Sequence, residues 1–183
     1  MINPIGVISM FYARPFAREH FPTFARMKKA GANCVEMLVP EEGELDLAET
    51  KRAIADAGLS VVLAARVNLA RDLASADRAA HDAGVAYLEF CVRAAEALGA
   101  DIVGGPLYGA PLVFAGRAPT PCAPDERKRR IDAVVDGLKR AGKVAQSAGV
   151  RFGVEPLNRF ETDIANTARH ARQLAERVDS PAV

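Results

Sequence analysis

The chain has 183 residues, of which 50% are hydrophobic and 26% are charged. This composition is typical of one soluble globular domain with a substantial core and argues against a disordered chain. The 24 Lys and Arg residues nearly balance the 23 Asp and Glu residues. Because there is no net positive field to attract phosphate backbones or anionic lipid, we expect neither a nucleic acid nor a membrane as a partner.

The cysteines and the N-terminus indicate a compartment. Cys34, Cys91 and Cys122 are widely spaced and form no C-x-x-C pair, which argues against a disulfide framework and against a thiolate zinc site. The opening MINPIGVISMF has no basic leader before its apolar run, and no run of 18 apolar residues occurs. These features predict a reducing, cytoplasmic location.

One phrase recurs along the chain: a helical segment ends in Ala or Leu, a Gly follows, and an apolar run begins within a few residues. Its four copies are AGANCVEML, AGLSVVLAA, LGADIVGGP and AGVRFGVEP. Gly just past a helix adopts the left-handed conformation that ends it, and a short apolar run indicates a buried strand. With the opening IGVISM, the pattern predicts five strands, each followed by a helix, near residues 5–10, 33–38, 60–65, 101–105 and 150–155.

The helical segments are amphipathic. From Ile131 to Ala145, apolar residues recur at three- and four-residue steps, and Asp125 with Glu126 lies at the positive end of the helix dipole. We expect the basic run from Glu126 to Arg130 to be a solvated first turn rather than a nucleic-acid patch. Asn166 is the predicted N-cap of the last helix.

Strict alternation of apolar strands and helices indicates a single parallel α/β domain over residues 1–183. No G-x-G-x-x-G turn follows the first strand, which favours a (β/α)8 barrel over a doubly wound dinucleotide-binding sheet. A complete barrel takes about 250 residues. The sequence therefore predicts about five of the eight βα units of a TIM barrel.

The first candidate site residue is Glu155, which directly follows the fifth predicted strand in GVEPLNRFET. In parallel barrels the chemistry lies at the C-terminal ends of the strands. Position alone leaves two interpretations open, a functional carboxylate and a structural ion pair with Arg159 or another cation. The pair Gly104 and Gly105 ends the fourth strand and predicts either room for a ligand or a turn.

The segment VEPLNRFET, with ANTA at 165–168, resembles the signature of the D-tagatose/D-psicose (allulose) 3-epimerase family, a group of xylose isomerase-like TIM barrels. Residues 45–61 and 71–108, and GRAPT at 116–120, resemble the same family in order and spacing. The resemblance implies an isomerase that epimerises a small ketose at C3 through proton abstraction and an enediolate.

The resemblance also implies roles for two carboxylates. Glu155 matches a ligand of a divalent metal, Mn²⁺ first, with Co²⁺ or Mg²⁺ as alternatives, and one of two acid/base carboxylates. Glu161 matches the residue that hydrogen-bonds the sugar near its carbonyl end. The metal is needed because a C3 proton beside a ketone is barely acidic in water, and inversion needs a second carboxylate on the opposite face of the sugar.

Three further candidates lie at predicted strand ends, and each keeps two interpretations. Glu36 either hydrogen-bonds the sugar or orients a ligand, or it is the buried partner of a cation. Arg66, where the family usually has small residues, either binds a substrate phosphate or points into solvent. Phe114, like Phe11 and Tyr12, either forms an apolar wall over the sugar or packs locally.

The three histidines, His20, His81 and His170, fall on predicted helices or their starts, where solvated positions are expected rather than metal ligation. The related endonuclease IV fold uses a histidine-rich multinuclear zinc site at its strand ends. The sequence has no such histidines, so a DNA-repair function is disfavoured.

The chain departs from the family pattern at SPAV, residues 180–183, where a sixth strand and the next ligand, an Asp in an L-D-T-F-H run, are expected. Three explanations remain open: a segment of a longer enzyme, which we favour, a natural truncation, or a fragment completed by another copy. We expect the 183 residues alone to be inactive and the protein to be a homo-oligomer. Alternative functions are a hydroxypyruvate or inosose isomerase and a non-catalytic barrel acting by association.

Overall fold

The computed structural model describes residues 4–109 and 122–183. Their five strands form one parallel sheet in the order β1-β2-β3-β4-β5. The strands are β1 Gly6–Ile8, β2 Cys34–Leu38, β3 Ser60–Ala64, β4 Ile102–Gly105 and β5 Arg151–Val154. A strand order that follows the sequence without reversal is that of a barrel, because a doubly wound sheet reverses its order at a switch point. The predicted barrel type is confirmed.

The helices alternate with these strands as predicted, and two 3₁₀ turns, Ser9–Phe11 and Arg18–His20, precede the first of them. They are α1 Pro22–Lys29, α2 Leu47–Asp56, α3 Arg78–Leu98, α4 Pro124–Ser147 and α5 Ala168–Val178. The five strands agree with the sequence prediction to within a few residues. The largest difference is β1, which ends at Ile8 because the chain turns into the first 3₁₀ helix. Over the described ranges, no helix has the length and apolarity to cross a membrane.

Glycine follows the ends of α1 to α4 as predicted, most clearly after α3. Gly99 has φ 80° and donates its backbone N–H to the Ala95 carbonyl at 2.8 Å. A side chain is strained in this left-handed conformation, whereas Gly adopts it freely. The chain therefore leaves α3 abruptly and enters β4 three residues later.

The two faces of the sheet differ in burial. Val35 and Met37 on β2, and Leu63 on β3, point toward the helices and are at most 1% exposed. The alternate residues, among them Glu36 and Val62, lie on the inner face and are only half-buried. The sequence predicted strands buried on both faces, but within the described residues only the face that contacts the helices is buried. Glu36 lies on the other face, which in a barrel forms the interior.

Three local predictions were wrong. The N-cap of α5 is Thr167, whose side chain accepts the His170 backbone N–H, because the Asn166 amide instead donates to carbonyls of the preceding loop. His81 is 7% exposed rather than solvated, because its Nδ1 donates to the Leu73 carbonyl at 2.8 Å. Arg130, in the basic run of α4, is mostly buried against Asp163.

Candidate active site

Glu155 lies at the C-terminal edge of the sheet, directly after β5. Its backbone N–H donates to the Gly105 carbonyl at 3.0 Å, and its own carbonyl accepts the Tyr108 hydroxyl at 3.0 Å. Tyr108 is 1% exposed, so its ring is fixed in the core. The backbone of Glu155 is therefore held against the end of β4 by two bonds, independently of its side chain.

The charge environment of Glu155 is acidic. Partial burial raises the pKa of its carboxyl, and the nearby charges of Glu36 and Glu161 raise the pKa further. Among the described residues Glu155 has no ion-pair partner, and Arg159 instead lies over the Phe160 ring at 5.3 Å. The structural ion pair with Arg159 is thus not formed. Glu36 and Glu161 are thus near enough to raise the pKa of Glu155, and no ion pair compensates Glu155 in the described part of the chain.

Glu161 is fixed by an Asn-centred turn in the loop that follows Glu155. Asn158 accepts the Phe160 backbone N–H at 2.9 Å and the Glu161 N–H, through its own carbonyl, at 3.0 Å. The Asn158 side-chain amide also donates to the Glu161 carboxylate at 2.5 Å. Side chains of this kind stabilise turns by hydrogen-bonding the backbone two residues on, and here the same side chain orients a carboxylate.

Gly105 has a conformational role that the sequence left open. Its φ is 117°, and an added Cβ would lie 3.4 Å from both the Ala65 nitrogen and oxygen. Its carbonyl accepts the backbone N–H groups of Leu107 and Glu155. The turn interpretation accounts for the glycine by itself, and contact with a substrate remains a prediction. Phe114, the other loop candidate, lies outside the described residues.

Arg66 does not point into solvent, and that interpretation was wrong. Its side chain is 20% exposed and donates to Glu44 at 2.6 Å, with Glu41 at 3.5 Å. Its Nε is buried without a hydrogen-bond partner among the described residues. Two carboxylates already compensate much of its charge, so binding of a substrate phosphate stays a prediction that the geometry does not favour.

A second arginine, which the sequence analysis missed, ties together the loops after β2 and β3. Arg71 forms two hydrogen bonds to Glu41, at 2.6 and 3.1 Å, and its Nε donates to the Arg66 carbonyl. Its guanidinium lies over the Tyr87 ring at 3.8 Å. The hydrogen bond from Arg71 lowers the pKa of Glu41. The pairing spans 30 residues, so spacing in the sequence gave no signal for it.

The basic first turns of α4 hold two loops, which was also missed. Arg129 donates to the carbonyls of Ala74 and Ser75 in the loop after β3. Arg127 and Arg130 donate to residues of the loop after β5, chiefly Asp163. The three arginines of the ERKRR run therefore contact loops at the carboxyl end of the sheet, while Lys128 stays in solvent.

The donor chemistry at Glu155 suits a hard divalent cation, because carboxylate oxygens are preferred ligands of Mn²⁺ and Mg²⁺. Over residues 4–109 and 122–183, however, no group of three or more His, Cys, Asp or Glu side chains is placed to hold a metal. Glu155 therefore fits as one ligand of such an ion, and the described residues do not supply a complete set.

A parallel sheet in sequential strand order, with helices between its strands, defines the class of parallel α/β barrels. Residues 24–183 match the family described as xylose isomerase-like TIM barrel, and the chain belongs to this family.

Two curated relatives are 3-epimerases. The chain is 30% identical over 168 residues to the L-ribulose 3-epimerase of Mesorhizobium japonicum, covering 90% of this chain and 53% of the relative. It is 28% identical over 162 residues to the ketose 3-epimerase of Arthrobacter globiformis, covering 85% and 51%. The chain thus spans about half the length of the curated relatives it matches.

Solved structures agree with the fold. A structure of L-ribulose 3-epimerase superimposes with a TM-score of 0.87 at 26% identity, covering 99% of this chain and 59% of that one. D-psicose 3-epimerase, crystallised in the presence of D-fructose, gives a TM-score of 0.86 at 21% identity, covering 99% and 62%. At the latter identity the likeness concerns the fold alone.

Proposed function

We propose that these residues form the first five βα units of a metal-dependent ketose 3-epimerase. The observation that carries the proposal is Glu155, whose backbone is fixed at the end of β4 while its side chain shares an acidic environment with Glu36 and Glu161. The 3-epimerase relatives support the same reaction class. Because the chain covers about half of each relative, the activity is proposed for the complete barrel.

Glu155 is the proposed acid/base residue for the C3 proton. Burial and like charges raise the pKa of this carboxyl, and a carboxylate with a raised pKa is a stronger base toward a weakly acidic C–H bond. Removal of the proton leaves an enediolate. A second carboxylate, on the opposite face of the sugar, must return the proton to invert C3, and we assign it to the remaining units of the barrel.

Glu161 is the proposed sugar-binding carboxylate. One of its oxygens accepts the Asn158 amide, which leaves the other oxygen to accept a sugar hydroxyl. Since the carboxylate is oriented before the sugar arrives, binding loses less conformational entropy. We assign to Glu36, on the inner face of β2, a contact with the same sugar.

A divalent metal, Mn²⁺ in the first instance, would be held by Glu155 together with ligands from the remaining strands. When bound, it supplies the Lewis acidity that makes the C3 proton removable.

The test is turnover by the complete protein. After chelation and reloading with Mn²⁺, Co²⁺ or Mg²⁺, it is incubated in D₂O with L-ribulose, D-psicose, D-tagatose and D-fructose. The proposal expects the C3 epimer, with deuterium at C3. Glu155→Gln should lower kcat/KM by at least about a hundredfold, the size of a lost acid/base group. Glu42→Gln, an exposed carboxylate on another loop, is the matched control. Turnover of hydroxypyruvate or inosose, with no ketose epimerised, would contradict the proposal.

A non-catalytic role by association is the alternative, since β1 and β5 are the edges of the described sheet and its inner face is half-exposed. It expects the 183-residue chain to form a stable oligomer that binds no Mn²⁺. A compact monomer in size-exclusion chromatography would remove its basis. For the complete enzyme, we also propose a homo-oligomeric state and a cytoplasmic location.

A further inference from the structure

The loop from Glu155 to Thr167, here called the β5–α5 loop, carries both proposed functional carboxylates. Its two ends are held differently. The Glu155 end is bonded to β4 and to Tyr108. The far end, at Asp163 and Ile164, is bonded to helix α4, which lies outside the sheet.

The contact with α4 is a charged clamp formed by Arg130 and Asp163. One Arg130 nitrogen lies 2.6 and 2.7 Å from the two Asp163 oxygens, and both side chains are 17% exposed. The Cys122 thiol donates to the same carboxylate at 3.2 Å. Arg127 donates to the backbone carbonyls of Asp163 and Ile164 at 3.0 and 3.2 Å.

This clamp differs from the other ion pairs of α4. Lys128 pairs with Asp132 at i,i+4 with the lysine 76% exposed, an arrangement that contributes little because solvent screens it. The Arg130 pair is largely desolvated, joins segments 33 residues apart and uses both carboxylate oxygens. Breaking such a pair leaves a charge without its partner in a partly buried place.

The clamp acts two residues from Glu161. Within the loop, Asn166 donates to the carbonyls of Leu157 and Thr162 at 3.1 and 2.7 Å, and the Leu157 N–H donates to Ala165 at 2.9 Å. These bonds make the segment from Leu157 to Asn166 a compact unit, so a shift at Asp163 is passed to Glu161. Glu155 lies outside this unit and keeps its own backbone bond to Gly105 of β4, while the Tyr108 hydroxyl lies 3.0 Å from the Glu155 carbonyl and 3.5 Å from the Ala165 carbonyl of the unit.

We infer that Arg130 and Asp163 are positioning residues that hold Glu161 in place for the sugar while leaving Glu155 unaffected. The inference rests on the proposed function, because it takes Glu161 as a sugar ligand. It separates two parts of the site that are close in sequence: Glu155 depends on its backbone bond to β4, and Glu161 depends on α4, while the Tyr108 hydroxyl contacts both parts.

The experiment compares variants of the complete protein by hydrogen exchange with mass spectrometry and by steady-state kinetics on the best ketose. In Arg130→Met and Asp163→Asn, amides of the β5–α5 loop should exchange at least about tenfold faster, and KM should rise about tenfold with kcat within about threefold. The double variant should be no worse than the poorer single variant. Arg130→Lys keeps the charge on a shorter side chain with a single nitrogen and should give an intermediate KM.

Two controls come from the same helix. Lys128→Met should change neither measurement, and Arg129→Met should loosen the loop after β3 without changing exchange in the β5–α5 loop. Unchanged exchange in Arg130→Met and Asp163→Asn would overturn the inference, as would faster exchange with an unchanged KM, or a fall in kcat alone. If the unsubstituted protein turns over no ketose, the proposed function fails and the role assigned to Glu161 fails with it, while the exchange data still report whether the clamp orders the loop.

Discussion

Leu73 offers the sharpest test of how the loop after β3 is seated. It is 1% exposed and lies against a glycine of each long helix, Gly84 of α3 and Gly137 of α4. A Cβ added at Gly137 would lie 2.7 Å from one Leu73 methyl carbon, 3.1 Å from the other and 3.2 Å from Cγ. Gly137→Ala therefore forces Leu73 and its loop to move.

The change in unfolding free energy caused by Gly137→Ala should have opposite signs in the unsubstituted protein and in the Leu73→Ala variant. Overpacking costs about 1–3 kcal/mol, and replacing a mid-helix Gly by Ala returns about 1 kcal/mol, so Gly137→Ala alone should destabilise by about 1 kcal/mol. Leu73→Ala should cost about 2–5 kcal/mol through the cavity it leaves. In that background the added methyl enters vacated space, and Gly137→Ala should stabilise by about 1 kcal/mol.

The assay is equilibrium unfolding in urea of the single and double variants, with unchanged m-values as the condition for comparison. The coupling between the two sites should be about 2 kcal/mol. Gly142→Ala is the control, because its nearest neighbour would be the Ser180 Oγ at 3.3 Å and Leu73 is not among its contacts. If Gly137→Ala has the same effect in both backgrounds, the packing argument is refuted.

Three further predictions concern the site. Because the pKa of Glu155 is raised in the fold, its contribution to stability is present below its unfolded pKa of about 4.5 and is lost as pH rises through the folded pKa. Glu155→Gln should therefore stabilise the fold at pH 7, by only about 0.5 kcal/mol because solvent screens the repulsion between the carboxylates. In thermal melts this gain should vanish near pH 3. The lowered pKa of Glu41 gives the opposite pH dependence, because its contribution to stability is present above about pH 4.5 and is lost on acidification. Glu41→Gln should therefore destabilise the fold by about 0.5–1 kcal/mol at pH 7 and by nothing at low pH. An equal loss at both pH values would contradict the pairing with Arg71. Tyr108→Phe removes the hydroxyl that donates to the Glu155 carbonyl and should lower the free energy of unfolding in urea by about 1 kcal/mol. In the kinetics, kcat should fall by a larger factor than KM rises. A change in KM alone would argue against Tyr108 as the anchor of Glu155.

The fold was predictable because its signals are local. Each glycine stop and each apolar run lies within ten residues, and in-order parallel pairing follows from their repetition. Glu155 was placed at the sheet edge by the same logic. The β1 boundary was less certain because a 3₁₀ turn continues an apolar run that resembles a strand.

The ion pairs were not predictable because they join distant segments. Arg130 and Asp163, and Arg71 and Glu41, are 33 and 30 residues apart, and each member looks like an ordinary surface charge in its own context. His81 was misassigned for a different reason, since the Leu73 carbonyl that it hydrogen-bonds belongs to a loop just before α3 and is not part of the helix periodicity.

The contacts of α4 with two loops have a consequence for deletions along this helix. Each residue advances a helix by about 100°, so deleting one residue between the arginines and the packed middle of α4 would rotate Arg127, Arg129 and Arg130 away from their carbonyl and carboxylate partners together. The loops after β3 and β5 would be released at once, although neither had been altered. A deletion after Ser147, in the turn before β5, would leave all three arginine contacts in register, so it would not release these two loops through α4.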